Sequence, residues 1–261
     1  MLADYHMHTS FSDDSSLIME DAVRQAVEIG LEEICFTEHI NAVYNYHDCD
    51  CKKYLKELKR CRELFKDKIS IKFGMEFGMQ SQLCKYYETI FNNYNFDFII
   101  LSVHLINNLD LWNYDYQTGK TQDEYNRGYY EELLNIVENY NDYSVLGHMD
   151  LIRRYDRICE YPFEKCRDII EKILKTVIKN GKGIEVNTSS FRYGLQDLMP
   201  SRDILKLYKN LGGKIITIGS DSHRIDHIGY KIPFILEQLK DMGYTHFCTF
   251  DKMKPIFHKL D

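Results

Sequence analysis

Six of the ten histidines in this 261-residue chain lie just past short hydrophobic runs that read as β-strands. Leu2–Tyr5 leads into His6 and His8, Ile34–Thr37 into Glu38 and His39, and Phe98–Val103 into His104. Ser144–Gly147 leads into His148, and Ile215–Gly219 into Asp221 and His223. A further run, Ile69–Phe73, ends on a carboxylate, Glu76. Imidazoles and carboxylates are the usual ligands of borderline and hard divalent cations. An isolated His-x-His pair is as readily structural as functional, although alternate strand residues share a face and both rings can reach one ion. The repetition at the ends of separate strands is what points to a multinuclear metal centre. Glu76 follows Gly74 and Met75 in an apolar setting. An unpaired carboxylate is costly there, and a bridging role between two cations removes that cost.

The elements that must position these residues alternate strand and helix. Seven β-rich runs, Leu2–His6, Glu33–Thr37, Ile69–Glu76, Phe98–Val103, Ser144–Gly147, Gly183–Asn187 and Ile215–Gly219, are separated by stretches with apolar residues at helical spacing. The expected helices are Ile18–Ile29, Asp50–Phe65, Ser81–Phe91, Gln122–Tyr140, Phe163–Lys179, Arg202–Leu211 and Pro233–Met242. This alternation predicts a parallel α/β sheet. An open sheet binds ligands at one switch point, whereas ligands on six of seven strands favour a closed or nearly closed barrel with its site at the carboxyl ends of the strands. Thr245–Phe250 is a candidate for one more strand, and the polar, aromatic segment Asn107–Thr121 reads as a long loop over the barrel mouth. Ligands running from His6 to His223 leave no room for an independent half, so residues 1–261 are expected to form one barrel domain.

Composition narrows the function classes. The net charge is −7, which argues against extended nucleic-acid binding but not against a small phosphorylated substrate held by a local cluster of cations. No apolar run is long enough to cross a membrane, and no basic region followed by an apolar stretch opens the chain, so a cytoplasmic protein is expected. The eight cysteines include no Cys-x-x-Cys pair and read as reduced thiols. His47, His227, His246 and His258 lack the strand-end setting and read as surface or packing residues.

The set Asp4-Tyr5-His6-Met7-His8-Thr9, Ser12-Asp13-Asp14-Ser15 and Thr37-Glu38-His39 resembles the polymerase-and-histidinol-phosphatase (PHP) family of metal-dependent phosphoesterases. The resemblance runs from Asp4 to about Pro255. Gly147–Tyr155, Glu185–Gly194 and Ile216–His223 look most like the histidinol-phosphatase branch. The resemblance implies a distorted (β/α)7, TIM-like barrel with three divalent metal ions, zinc first and iron or manganese compatible. Carried over residue by residue, one ion takes His6, His8, Glu76 and Asp221. A second shares Glu76 and adds His104 and His148. A third takes Asp14, His39 and His223, with Asp13 the alternative loop ligand used by some relatives. Glu76, Asp221 and His223 are the expected catalytic residues. Arg154 and Arg192 match basic residues near the substrate, and a guanidinium fork suits phosphate. Tyr155, Asn187 and Ser189 are expected to line the same pocket, while Arg153 reads as a solvent-facing charge. The implied activity is metal-dependent hydrolysis of a phosphomonoester, L-histidinol phosphate in histidine biosynthesis. A different small phosphomonoester or nucleotide, and a non-catalytic metal-binding module, are the alternatives.

Overall fold

Runs rich in β-branched and aromatic residues form strands here because both of their faces are covered, one by the barrel interior and one by helices. The computed structural model describes residues 1–43 and 46–260. In chain order the elements are β1 (Ala3–Met7), α1 (Met19–Glu28), β2 (Glu33–Ile40), α2 (Cys51–Leu64), β3 (Ser70–Gly78), α3 (Cys84–Asn93) and β4 (Phe98–Ser102). A small hairpin follows, β5 (Leu105–Ile106) and β6 (Leu109–Asp110), then α4 (Gln122–Asn139), β7 (Val145–Leu146) and α5 (Arg167–Lys179). The chain continues with β8 (Gly183–Asn187), α6 (Arg202–Asn210), β9 (Ile216–Gly219), α7 (Ile232–Asp241), β10 (His246–Asp251) and β11 (Lys254–Lys259).

Seven strands form one parallel sheet in the order β1-β2-β3-β4-β7-β8-β9. The two edges meet at a parallel bridge between Met7 and Ser222, where His8 N donates to Ser222 O at 2.8 Å. Asp4 reinforces that seam, its carboxylate accepting the backbone N–H of Ser220 at 2.8 Å and of Gly229 at 2.9 Å. The result is a nearly closed barrel. Gly219 is required at the seam, because a Cβ there would collide with His6 Cβ and Glu185 Oε1.

The helices pack their apolar stripes on the barrel. In α5 the buried residues are Ile169, Ile170, Ile173, Leu174 and Val177, the stripe expected from helical spacing. Thr121 and Glu124 form a reciprocal capping box that starts α4. Among the described residues no helix is long and apolar enough to cross a membrane.

Several sequence expectations change. Ser81–Leu83 and Phe163–Lys165 are single 3-10 turns, so α3 begins at Cys84 and α5 at Arg167. The Thr245–Phe250 run is a strand, β10, but it pairs antiparallel with β11 outside the barrel. That hairpin covers the amino-terminal end of β4, where Phe250 meets Phe98 at 5.0 Å and Met253 N donates to Asp97 O at 2.8 Å. The segment after His104 is not wholly irregular, since the β5–β6 hairpin occupies its first part.

Candidate metal centre

The register of the sheet assembles the first candidate ligands. β2 and β3 run parallel with His39 directly opposite Glu76. In β1 the register with β2 shifts between Asp4 and Met7, the interval that contains His6. Irregularities of this kind re-aim side chains beside active sites. His6, His39 and Glu76 therefore lie within the last residues of their strands, whereas His8, His104, His148, Asp221 and His223 lie beyond theirs.

Glu76 is at the centre. Its Oε2 lies 3.1 Å from His6 Nε2, 3.4 Å from His8 Nε2 and 3.0 Å from His39 Nδ1. Its Oε1 lies 3.2 Å from His104 Nε2 and 2.9 Å from His148 Nε2, and accepts the Ser102 hydroxyl at 2.6 Å. The two oxygens of one carboxylate thus face two different sets of rings. Asp221 Oδ1 closes the first set, 3.7 Å from His6 Nε2 and 3.6 Å from His8 Nε2. A third group forms at the rim, where Asp14 Oδ2 lies 3.4 Å from His39 Nε2 and 3.0 Å from His223 Nε2. Asp13, by contrast, turns its carboxylate to the backbone N–H of His47 at 3.2 Å.

Electrostatics and polar satisfaction both fit cations in this cluster. Burial raises the cost of charge on Glu76, but His6, His104 and His39 outweigh it and hold its pKa well below the carboxylate range. Burial likewise opposes ionisation of Asp221, and His6, His223 and Arg154 overcome it. Burial and then the neighbouring rings of His39, His223 and His6 push His8 well below the usual histidine range, leaving it neutral and able to ligate. The buried Nε2 of His8 and Nδ1 of His39 have no hydrogen-bond partner among the described residues. Orphaned ring nitrogens beside ionised carboxylates are the arrangement a bound divalent cation completes. Ligand atoms of His6, His8 and Glu76, of His6, His148 and Asp221, of His39, Glu76 and His104, and of His8, His39 and His223 each fall within 4.8 Å of one another.

Two of the non-glycine residues with left-handed backbone belong to this cluster. His148 has φ of 24° and Asp221 φ of 55°. Aspartate and histidine are among the side chains found most often at positive φ, yet His148 still needs a partner to hold it there. Glu185 does this, accepting the His148 backbone N–H at 2.9 Å while lying 2.6 Å from His6 Nδ1. No role was expected for Glu185 from the sequence. The available signal was a carboxylate in the middle of the apolar strand Gly183–Asn187.

A cleft of about 1120 Å³ opens over the cluster. Arg154, Arg192 and Tyr155 line it, as expected. Arg192 donates to Asp221 O at 2.8 Å, and Arg154 contacts the Ser189 hydroxyl and Asp221 Oδ2, the latter at 3.5 Å. The buried Arg154 Nε and Arg192 Nη1 have no partner among the described residues. Tyr193, singled out only within a motif, stacks on Arg154, whose guanidinium carbon lies 3.9 Å from the ring centroid. Asn187 and Ser189 do not line the cleft. They are fully buried behind it, with Asn187 Oδ1 accepting from Ser189 N at 3.0 Å and Ser189 Oγ donating to Asp221 Oδ2 at 3.1 Å. Arg153 is not solvent-facing either; its side chain is 10% exposed because Asp150 Oδ2 and Glu160 Oε1 each bind it at 2.8 Å. His227, expected at the surface or in packing, joins the cleft wall beside His223.

The PHP domain family model matches residues 4–189. The histidinol-phosphatase of Lactococcus lactis subsp. lactis is 34% identical over 256 residues, covering 96% of this chain and 95% of its own. The protein named probable histidinol-phosphatase of Thermotoga maritima is 30% identical over 266 residues, 99% of this chain and 100% of its own. The crystal structure of histidinol phosphate phosphatase from Lactococcus lactis, complexed with zinc, L-histidinol and phosphate, superposes with a TM-score of 0.90 at 32% identity, covering 98% of each chain.

Proposed function

The chain belongs to the PHP domain family, and from that membership we propose that it is a histidinol-phosphatase, hydrolysing L-histidinol phosphate to L-histidinol and phosphate in histidine biosynthesis. The observation that carries this reading is the pair of orphaned guanidinium donors, Arg154 Nε and Arg192 Nη1, in the cleft that also holds the Glu76 cluster. A dianionic phosphoryl group answers both needs, since it accepts charged hydrogen bonds and neutralises cations. The relatives at 34% and 30% identity, named histidinol-phosphatase and probable histidinol-phosphatase, match this chain over nearly their whole length.

We assign His6, His8, Glu76 and Asp221 to one cation, Glu76, His104 and His148 to a second, and Asp14, His39 and His223 to a third. Zinc is the first choice because the mixed nitrogen and oxygen donors suit it, and the Lactococcus structure contains it. Bound cations supply Lewis-acid charge and make water a competent nucleophile near neutral pH. Arg154 and Arg192 hold the phosphoryl oxygens, and Tyr155 and Tyr193 flank them. Ser189 and Asn187 act from behind, fixing Arg154 and Asp221. Asp221, ionised and between the cluster and Arg154, is our assignment for the proton acceptor when water attacks phosphorus. The ester P–O bond breaks, the water oxygen becomes part of the released phosphate, and the alcohol oxygen takes up the proton that Asp221 accepted from water. His223 tethers Asp14 to the rim, and Glu76 would serve both inner cations, one oxygen towards each. Residues 1–261 act as one domain in this reading, with a small phosphorylated molecule as the partner.

The test is steady-state hydrolysis of L-histidinol phosphate by the zinc-loaded protein. Turnover that vanishes in chelator and returns with zinc is expected. Absence of turnover in fully loaded protein overturns the assignment.

A further inference from the structure

The cleft is bipolar. Arg154, Arg192 and Arg224 line it from segments that follow β7, β8 and β9, while Tyr46, Asp110 and Trp112 come from segments that follow β2 and β4. The sheet order puts those two sets on different arcs of the barrel mouth. The phosphate reading uses the arginine arc only. Asp110 is half-buried, and among the described residues no lysine or arginine pairs with it. Its Oδ1 accepts the Tyr46 hydroxyl at 2.6 Å, and Tyr46 in turn accepts from Trp112 Nε1 at 3.2 Å. Among the described residues nothing donates to Oδ2. A carboxylate fixed through one oxygen, with the other free in a cleft, is a cation receptor waiting for its partner. Trp112 is the only tryptophan in the chain and is 60% exposed in the same cleft, a large apolar surface left uncovered by the fold.

We propose that Asp110, anchored by Tyr46, is the specificity residue that binds the ammonium group of an amino-alcohol phosphate, with Trp112 covering the substrate's ring. This rests on the histidinol-phosphatase reading and names how that substrate is told from other phosphomonoesters. The phosphate end is common to all of them. The ammonium is not, and a site that leaves a half-buried carboxylate unpaired discriminates against esters that lack the cation. Asp13 is the competing carboxylate of the cleft, but one of its oxygens already accepts from His47 N and its side chain is exposed.

The test compares parent, Asp110→Asn and Tyr46→Phe, all zinc-loaded, on three esters: L-histidinol phosphate, its deaminated analogue imidazolylpropyl phosphate, and p-nitrophenyl phosphate. Asp110→Asn should lower kcat/KM on L-histidinol phosphate by roughly ten- to hundredfold, chiefly through KM, and leave the other two within about twofold. Tyr46→Phe should act in the same direction and less strongly. Trp112 fluorescence gives a readout independent of turnover: L-histidinol should change the parent signal saturably, and Asp110→Asn should need at least about tenfold more ligand. Equal losses on all three esters, or an unchanged preference for L-histidinol phosphate, overturn the role of Asp110. The same selective loss in Asp13→Asn, with Asp110→Asn unaffected, moves the receptor to Asp13 and also overturns it. A parent protein that does not prefer L-histidinol phosphate to its deaminated analogue overturns the ammonium receptor. The substrate reading itself falls only if the parent does not hydrolyse L-histidinol phosphate at all.

Discussion

Nδ1 of His6 lies 2.6 Å from Oε1 of Glu185, and the other oxygen of that carboxylate accepts the backbone N–H of His148. A carboxylate can only accept, so Nδ1 carries the hydrogen and Nε2 is left to face Glu76 and Asp221. One buried side chain on β8, a strand that carries none of the proposed ligands, thereby orients a proposed ligand on β1 and holds the left-handed backbone of another after β7.

Replacing Glu185 by Gln keeps the shape and removes the charge. The amide also brings an N–H against either His6 Nδ1 or the His148 backbone N–H, neither of which can accept it. We expect zinc affinity and kcat/KM to fall by about 10–100-fold, the usual cost of losing an outer partner of a metal-bound histidine. Competition with a chromophoric chelator measures the first and steady-state kinetics the second. Unchanged affinity would show that His6 is oriented without Glu185.

How far the site was legible depended on whether a residue announces itself by type or by surroundings. His6, His39, His104, His148 and His223 stand out because the imidazole recurs after separate hydrophobic runs, a repetition that chance does not explain. The barrel followed from the same pattern, since ligands on nearly every strand require their ends to converge. Glu185 was hidden inside an apolar strand, where one-dimensional context cannot say which buried group it meets. Arg153 was misread for the complementary reason: its partners Asp150 and Glu160 become visible only in three dimensions. Asn187 and Ser189 were placed one layer too far forward, because motif proximity to Arg192 does not distinguish lining a cleft from backing it. The left-handed φ of His148 is a product of tertiary closure and has no local sequence signal.

Metal content is the next expectation. Gently purified protein should carry about two to three divalent ions per chain, because Glu76 presents its two oxygens to separate sets of rings and Asp14 serves a further pair. Elemental analysis measures this. Activity that persists in chelator, in protein shown to be metal-free, removes the cations from the reaction.

Loop and bridge carboxylates should separate cleanly. Glu76→Gln should cost more than the roughly 10–100-fold of an outer-partner variant, since both inner cation sites lose a shared charge. Asp14→Asn should lose activity and the rim cation, whereas Asp13→Asn should keep L-histidinol phosphate turnover within about threefold, because Asp13 faces His47 N. Kinetics with metal analysis of the three variants decides the matter, and loss in Asp13→Asn with Asp14→Asn tolerated reverses the loop assignment.

Arg192→Ala should weaken phosphate binding without emptying the metal centre. Losing a charged donor to phosphate costs about ten- to hundredfold in kcat/KM. Arg154→Ala should cost at least as much, since it also releases Ser189 and Asp221 from their shared contact. Inhibition by inorganic phosphate should weaken in parallel. Parent-like kinetics for either variant would take that arginine out of the phosphate site.

Substrate choice offers the widest test. L-Histidinol phosphate should be hydrolysed far better than p-nitrophenyl phosphate, and single-stranded DNA should not be cleaved. The cleft concentrates its cationic side chains at Arg154, Arg192 and Arg224, enough for one phosphoryl group, while the chain as a whole carries a net charge of −7. A polymer backbone needs a run of basic contacts along its path, and electrostatic affinity for it falls when the surrounding surface is acidic. The segment bearing Asp110 and Trp112 lines the cleft from a different arc of the barrel mouth than the arginines. If Asp110 is the ammonium receptor, a nucleoside monophosphate, which has no ammonium group, leaves it unpaired and should be the poorer substrate. The measurement is kcat/KM for L-histidinol phosphate, nucleoside monophosphates, p-nitrophenyl phosphate and single-stranded DNA under one set of metal conditions. Comparable efficiency on DNA would overturn the small-substrate reading and leave the metal centre standing.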